Sequence, residues 1–149
     1  MQRWIGLGIL AMGLIFGGGV YGYWLYRQNK PAPMWVEIPI NPDRTDEERE
    51  IAVKEILTKL RVKEVLLKVS KDMHLAEKWG LSSDAEAEKE LSNRVFVELG
   101  DTAGAMGRVP AVHIGVRGKK KEIQLSGEIS MRLMEDVWKI LGIEPPPKR

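Results

Sequence analysis

The chain has 149 residues, of which 44% are hydrophobic and 30% are charged. This composition fits one folded domain with a short appendage and excludes disorder along the whole chain. The absence of cysteine excludes disulfide scaffolds, thiolate metal sites and iron–sulfur clusters. The formal net charge is +2, but Arg3, Arg27 and Lys30 stand without an acid in the first 30 residues, which leaves residues 31–149 at −1. No nucleic-acid-binding domain is therefore predicted, and the run Lys119–Lys121 is interpreted as a solvated turn.

The first predicted element is a run of 23 uncharged residues from Trp4 to Tyr26. As a helix it is about 35 Å long, and the hydrocarbon core of a bilayer is about 30 Å thick. Aromatic residues stand near both ends, as interfacial anchors do, and Arg3 and Arg27 close the run. We predict a single transmembrane anchor within residues 1–30, with a cleaved signal peptide as the alternative. The flanking charges are balanced and do not decide the orientation.

Glycine is concentrated in this predicted anchor, which holds seven of the fifteen glycines. Gly13 and Gly17, and again Gly18 and Gly22, have the G-x-x-x-G spacing that lets membrane helices approach closely. These four glycines are candidate helix-packing residues of a homo-oligomer. The same spacing also arises by chance in a glycine-rich segment, so both interpretations stay open.

The segment after the anchor predicts a spacer and a strand. Pro31-Ala32-Pro33 is interpreted as a stiff spacer, and the apolar residues from Met34 to Ile40 alternate as in a strand. Pro39 cannot donate a ladder hydrogen bond, so we expect the strand to end there or to lie at a sheet edge.

Three helical segments are predicted between this strand and the next. The first opens at the capping-box pair Thr45 and Glu48, and the third opens at the pair Ser83 and Glu86. The middle segment continues the helical period and stops at Gly80.

Two more strands follow in the second half of the chain. Alternation predicts them at Val95–Leu99 and within Val109–Val116. The intervening residues 100–108 contain three glycines, but they lack the lysine and the hydroxyl residue of a Walker loop, and they join two strands. We therefore predict a mobile surface loop and no phosphate site.

The last predicted helix, roughly residues 121–141, is strongly amphipathic. Leu133, Val137 and Trp138 in this helix, together with Trp79 of the middle segment, are predicted core or interface residues. We expect Trp138 to pack with Leu133, Val137 and Leu141 against the apolar face of the sheet.

These elements predict an α+β fold, in which an N-terminal transmembrane helix precedes a small three-stranded sheet packed with about four helices. The α+β domain is assigned to residues 31–144, and residues 145–149 form a short basic tail after a run of prolines.

The sequence offers little for catalysis. His74 and His113 are the only histidines, and neither has a second histidine or a carboxylate at ligand spacing such as i, i+4. No serine stands in a Gly-x-Ser-x-Gly turn, although a triad assembled in space remains an alternative. We predict no catalytic residue, no cofactor and no metal.

The middle and the end of the chain resemble a known family. The stretch Val65–Leu81, with its L-x-x-x-W segment, and the acidic stretch Glu86–Leu91 after it resemble the polysaccharide chain-length determinants, or Wzz-type co-polymerases. Val109–Val116 is similar to that family's strand with an Ile-x-Val-like end, and Lys119–Trp138 to the helix that returns to the membrane. The resemblance covers roughly residues 36–141, by pattern more than by identity.

The resemblance implies an inner-membrane protein whose α+β domain lies in the periplasm. Such proteins assemble into rings and set the length of a surface polysaccharide through contact with the polymerase and its lipid-linked glycan, without catalytic residues of their own. Family members re-enter the membrane through a second apolar helix, and some carry a tyrosine kinase. The sequence after Gly142 has no apolar run, so we interpret the chain as a short form.

We therefore expect a single-pass, non-enzymatic scaffold or regulator of cell-surface polysaccharide biosynthesis or export. The expected partners are further copies of the chain, polymerase or export proteins, and lipid-linked glycan. The alternative is a membrane-tethered interaction domain of the cell envelope that is unrelated to glycans. It would recruit another protein through its sheet edge or its last helix.

Overall fold

The computed structural model describes residues 18–104 and 107–142. Residues 18–28 are helical and are called α1. The remaining elements are, in chain order, β1 (Pro31–Pro39), α2 (Asp46–Leu60), α3 (Lys63–Asp72), α4 (Leu75–Trp79), α5 (Asp84–Arg94), β2 (Val95–Gly104), β3 (Gly107–Lys119), a single 3-10 turn (Lys120–Glu122) and α6 (Ile123–Leu141). The predicted α+β class and the three-stranded sheet are confirmed.

The sheet is antiparallel throughout, with the strand order β1-β3-β2. The central strand β3 therefore pairs with both others, and Gly115 stands opposite Trp35 on one side and Phe96 on the other. Because side chains alternate along a strand, Ile114 next to it points to the opposite face, together with its partners Val36 and Val97. The register thus sorts the aromatic and the aliphatic residues onto different faces.

All three strands are longer than the alternation predicts. Residues 31–33 pair with residues 117–119 of β3, so they belong to β1 and are not a spacer. Residues 100–104 and 107–108 continue the β2–β3 hairpin, so the predicted mobile loop is wrong for these residues. Proline and glycine have weak strand propensity, and pairing with β3 overrides it.

The edge strand β1 contains three prolines, and all of them stand at positions whose N–H group would not face β3. The N–H of Ile40, just after the strand, donates to the carbonyl oxygen of Pro110 at 2.9 Å, so even-numbered positions direct their N–H groups toward β3. Pro31, Pro33 and Pro39 are all odd-numbered and lie where an N–H would point to the free edge. Proline therefore removes no ladder hydrogen bond from β1.

The capping predictions are confirmed fully at α2 and in part at α5. The Glu48 N–H donates to Thr45 Oγ1 at 3.3 Å, and the Thr45 N–H donates to the Glu48 carboxylate at 3.1 Å. At α5 the Glu86 N–H donates to Ser83 Oγ at 3.3 Å, but the Glu86 carboxylate accepts hydrogen bonds from Ser82 instead.

The middle helical stretch is broken into α3 and α4, which gives five helices after β1 where about four were predicted. His74, between them, has φ 53° and ψ 44°, in the left-handed region that non-glycine residues rarely adopt. Gly80, with φ 67°, ends α4 as expected.

The helices cover one face of the sheet and enclose the core. α6 packs on β1 and β3, α2 packs on β2, and α3 packs on α5. The Ser130 hydroxyl donates to the carbonyl oxygen of Met34 at 2.9 Å and so ties α6 to β1. The fully buried large residues of this core include Leu60, Leu66, Val69, Leu75, Leu91, Val95, Ile114, Val116, Ile129, Leu133 and Val137.

The predicted anchor falls largely outside the described residues, because the structure describes it only from residue 18 onward. Within residues 18–104 and 107–142, no helix has both the length and the apolar character needed to cross a membrane. The predicted tail at residues 145–149 also lies outside the described residues.

Candidate functional site

The candidate site lies on the outer face of the sheet, which is the face opposite the helices. The alternation that buries Val36 and Ile38 directs their neighbours to this face. These neighbours differ in kind from the aliphatic core, since they combine aromatic rings with charged groups. The outer-face residues considered below are Trp35, Glu37, Phe96, Glu98, His113, Gly115 and Arg117.

Trp35 is held in a defined orientation although its side chain is far from buried. Its ring centroid lies 5.5 Å from that of His113, with 16° between the ring planes. Its indole N–H donates to Glu37 Oε1 at 3.3 Å. With 43% of its surface exposed, the indole is an ordered aromatic surface that a ligand can reach.

Arg117, on the central strand β3, extends over β2. Its guanidinium lies 5.4 Å from the Phe96 ring centroid, and Nη2 donates to Glu98 Oε1 at 2.7 Å. The Phe96 ring is buried beneath it. The side chains of Arg117 and Glu98 are 65% and 55% exposed, so their remaining polar atoms face solvent.

Gly115 on β3 stands between its partners Trp35 on β1 and Phe96 on β2. A Cβ atom at this position would lie 2.7 Å from the Trp35 Cβ, which is closer than real side chains approach. Beside these residues the outer face holds a groove of about 280 Å³, which we call the outer groove. Its lining residues are Pro31, Pro33, Trp35, Phe96, Glu98, His113, Arg117 and Gly118.

The tip of the β2–β3 hairpin curls over the other end of the outer face. Gly100 passes so close to the His113 ring that a Cβ there would lie 2.6 Å from Nε2. The same Nε2 lies 3.3 Å from the carbonyl oxygen of Asp101, and the Thr102 hydroxyl donates to the Glu37 carboxylate. The hairpin thus closes one end of the outer face, and the outer groove occupies the other end.

Glu37 connects the hairpin tip to Trp35. Hydrogen bonds from Thr102 and then from Trp35 lower the pKa of Glu37 from its ordinary 4.5, and the nearby His113 adds a smaller effect in the same direction. His113 Nε2 lies 3.8 Å from Glu37 Oε1. The Glu37 carboxylate is therefore ionised at neutral pH, which maintains the hydrogen bond that orients the indole.

This arrangement has the chemistry of recognition. It offers an aromatic surface, hydrogen-bond donors on Arg117 and acceptors on Glu98, all fixed by the sheet. Within the described ranges, no group of three or more histidine, aspartate and glutamate side chains is arranged to hold a metal ion.

The glycines predicted to pack membrane helices are only partly described. Gly13 and Gly17 lie outside the described residues. Gly18 and Gly22 are exposed on α1, and a Cβ at either position would have no heavy atom within 4 Å. The described residues bring no second element against them.

The predicted core or interface residues lie on the helical side of the sheet, away from the outer groove. Leu133 and Val137 are fully buried, whereas Trp79 and Trp138 are partly buried and pack against the core. Leu141, expected to pack beside Trp138, is instead largely exposed because α6 ends there, beyond the edge of the core.

The sequence reasoning missed the outer groove. Its available signal was the aromatic residues that stand out of phase with the apolar alternation, Trp35 and Phe96 above all. Comparison of the chain with protein-family models, with curated proteins and with solved structures gave no match.

Proposed function

We propose that the chain is a membrane-tethered, non-enzymatic scaffold or regulator of cell-surface polysaccharide biosynthesis or export, similar to the chain-length determinants. The observation that carries the proposal is the outer groove, where an ordered, exposed indole stands beside an exposed arginine–glutamate pair. An exposed aromatic surface beside a few placed polar groups is typical of a ligand-binding site.

The sequence pattern supports the polysaccharide assignment. The segments that resemble the chain-length determinants form α3, α4, α5, β3 and α6, which pack together around one core. The L-x-x-x-W segment coincides with α4, and the acidic stretch lies in α5. The segments that carry the resemblance therefore belong to one domain with a shared core.

The tether is supported by the composition of α1 and of the apolar run that precedes it. Tyr21, Tyr23, Trp24 and Tyr26 are all more than half exposed on α1. Such aromatic clusters are typical of the level where a helix leaves a bilayer. We assign the chain to the inner membrane and its domain to the periplasmic side, and the exposed Gly18 permits α1 to pack against a second copy.

The topology is tested by two fusions after Arg149. A fluorescent protein that matures only in the cytoplasm should stay dark, and alkaline phosphatase, which folds only in an oxidising compartment, should be active. A bright fluorescent fusion at normal expression would contradict the periplasmic assignment.

The role is tested by deleting the gene in the source organism and separating its surface polysaccharide by size. We expect an altered chain-length distribution or a reduced amount, restored by the wild-type gene. An unchanged distribution and an unchanged amount would contradict the proposal and favour an interaction domain unrelated to glycans.

A further inference from the structure

The outer groove has the features of a saccharide site. We propose that it binds a short segment of a polysaccharide chain, with one sugar ring stacked on Trp35 and its hydroxyls bonded to Arg117 and Glu98. The choice of a saccharide rests in part on the proposed function, whereas the position of the site rests on the described residues alone.

Stacking on Trp35 supplies the apolar part of the interaction. A pyranose ring has one face made of C–H groups, and burying that face against an indole removes apolar surface of both partners from water. The contact with His113 and the hydrogen bond to Glu37 already fix the indole. Little side-chain entropy is therefore lost when the ligand binds.

The Arg117–Glu98 pair supplies the polar part. A guanidinium has five N–H donors and a carboxylate has several lone pairs, so each group keeps free capacity after their mutual hydrogen bond of 2.7 Å. Sugar hydroxyls both donate and accept, and neighbouring hydroxyls can use the two groups together. The opposite charges balance, which favours a hydroxyl-rich ligand over a polyphosphate chain.

The dimensions of the outer groove suit a ligand of this kind. Its volume of about 280 Å³ lies just below the range of small-molecule sites, roughly 300–1,000 Å³, and suits a single sugar ring. Trp35 on β1, Phe96 on β2 and the Arg117 side chain that covers the Phe96 ring all line the outer groove. A single sugar ring can enter the groove, and the rest of a chain can continue over the exposed surface.

The position along β1 also suits a glycan carried by a membrane lipid. The outer groove begins at Pro31, the first residue of β1, directly after the connection to α1. The opposite end of the face is closed by the hairpin tip through Thr102 and Glu37. The accessible end is thus the one that adjoins the proposed tether.

The binding test uses the full chain purified in detergent and short oligosaccharides released by partial hydrolysis from the source organism's surface polysaccharide. Calorimetry should detect saturable binding, and the Trp35 indole N–H signal should shift in NMR spectra. Trp35→Ala should weaken binding at least tenfold, and Arg117→Gln should weaken it severalfold. The matched controls, Trp24→Ala on α1 and Lys54→Gln on α2, remove an equally exposed ring and charge outside the groove and should leave binding unchanged.

Each outcome bears on one proposal or the other. Wild-type affinity in a folded Trp35→Ala variant, or no binding and no Trp35 shift with the wild-type chain, overturns the saccharide site. If Trp35→Ala does not fold, two other measurements test the site. They are the affinity of the surface variant Arg117→Gln and the NMR shift of the Trp35 indole N–H in the wild-type chain. An altered polysaccharide in the deletion strain without oligosaccharide binding refutes the site alone, whereas binding without a deletion phenotype refutes the proposed role alone.

Discussion

The hydroxyl of Thr102 on β2 donates a hydrogen bond to the carboxylate of Glu37 on β1, although the two strands lie on opposite sides of β3. The contact exists because the β2–β3 hairpin curls over the outer face, where Gly100 lets it approach His113. It joins the two edge strands of the sheet through side chains alone. It also holds the carboxylate that accepts the Trp35 indole N–H.

Removing this contact should raise the pKa of Glu37. The Thr102 hydrogen bond is the largest influence lowering that pKa, so Thr102→Val should bring it closer to the ordinary 4.5. The measurement is a carboxyl-carbon NMR titration. Thr58→Val is the matched control, because its hydroxyl donates to the backbone carbonyl of Lys54 and not to a carboxylate. An unchanged Glu37 pKa in Thr102→Val would contradict the expectation.

The stability of the domain should decrease in acid. The pKa values of four carboxyl groups are lowered, and in each case the largest cause is a hydrogen bond from another side chain. The four residues are Glu37, Glu55, Asp72 and Glu86. A carboxyl group whose pKa is lower in the folded state stabilises that state above its unfolded pKa, here 3.8 for Asp72 and 4.5 for the glutamates. This stabilisation is lost as the pH falls through each folded pKa. Urea midpoints should therefore drop below about pH 4.5, and a midpoint that rises there would contradict the linkage.

Arg132 should contribute more to stability than an exposed arginine such as Arg117. Its guanidinium donates to Asp72 of α3 at 2.8 Å and to Asp136 of α6 at 2.9 Å, and the Asp136 side chain is nearly buried. Arg132→Met leaves that carboxylate without its main partner, which should cost about 1–3 kcal/mol of unfolding free energy. Arg117→Met, which removes an exposed pair, should cost under about 1 kcal/mol. Equal urea midpoints for the two variants would contradict this assignment.

Two leucines of α6 allow a matched test of the core. Leu133 is 0% exposed and Leu141 is 41% exposed. Leu133→Ala should destabilise the domain by about 2–5 kcal/mol, because it leaves a cavity among packed side chains. Leu141→Ala should cost under about 1 kcal/mol. Urea unfolding followed by circular dichroism measures both variants. A larger loss of unfolding free energy for Leu141→Ala than for Leu133→Ala would contradict the position of Leu141 outside the core.

The close approach of β3 to α6 should make Gly118 intolerant of a side chain. A Cβ at this position would overlap the Ser126 hydroxyl and lie 3.2 Å from its Cβ. Gly118→Ala should therefore cost about 1–3 kcal/mol by overpacking. In the double variant with Ser126→Ala the overlap with the hydroxyl is gone, so the loss should be smaller than the sum of the two single losses. If the two single losses of unfolding free energy add up to the loss of the double variant, a contact between position 118 and the Ser126 hydroxyl is contradicted.

The parts of the fold that depend on neighbouring residues could be predicted from the sequence. The capping box of α2 needs only Thr45 and Glu48, and the stripe of α6 follows from its helical period. The ends of the strands could not be predicted in this way. Pro31 and Gly104 are poor strand residues, and they are extended because β3 pairs with them across the sheet.

The outer groove could not be predicted for a related reason. Its lining residues Trp35, Phe96 and Arg117 lie on three different strands and meet only through the register. The apolar alternation shows which residues enter the core, but it does not show which outward residues stand opposite one another. The orientation of Trp35 depends further on Glu37 and on the curl of the hairpin.

The prolines of β1 determine how copies of this domain can associate. A strand added alongside β1 would need N–H donors from the odd-numbered positions, and three of these five positions are Pro31, Pro33 and Pro39. Only Trp35 and Glu37 retain a donor there, too few to template an intermolecular ladder. Copies of the domain at high local concentration are thereby protected from merging their sheets into fibrils at this edge. Any pairing of sheets between copies must instead use the other edge strand, β2.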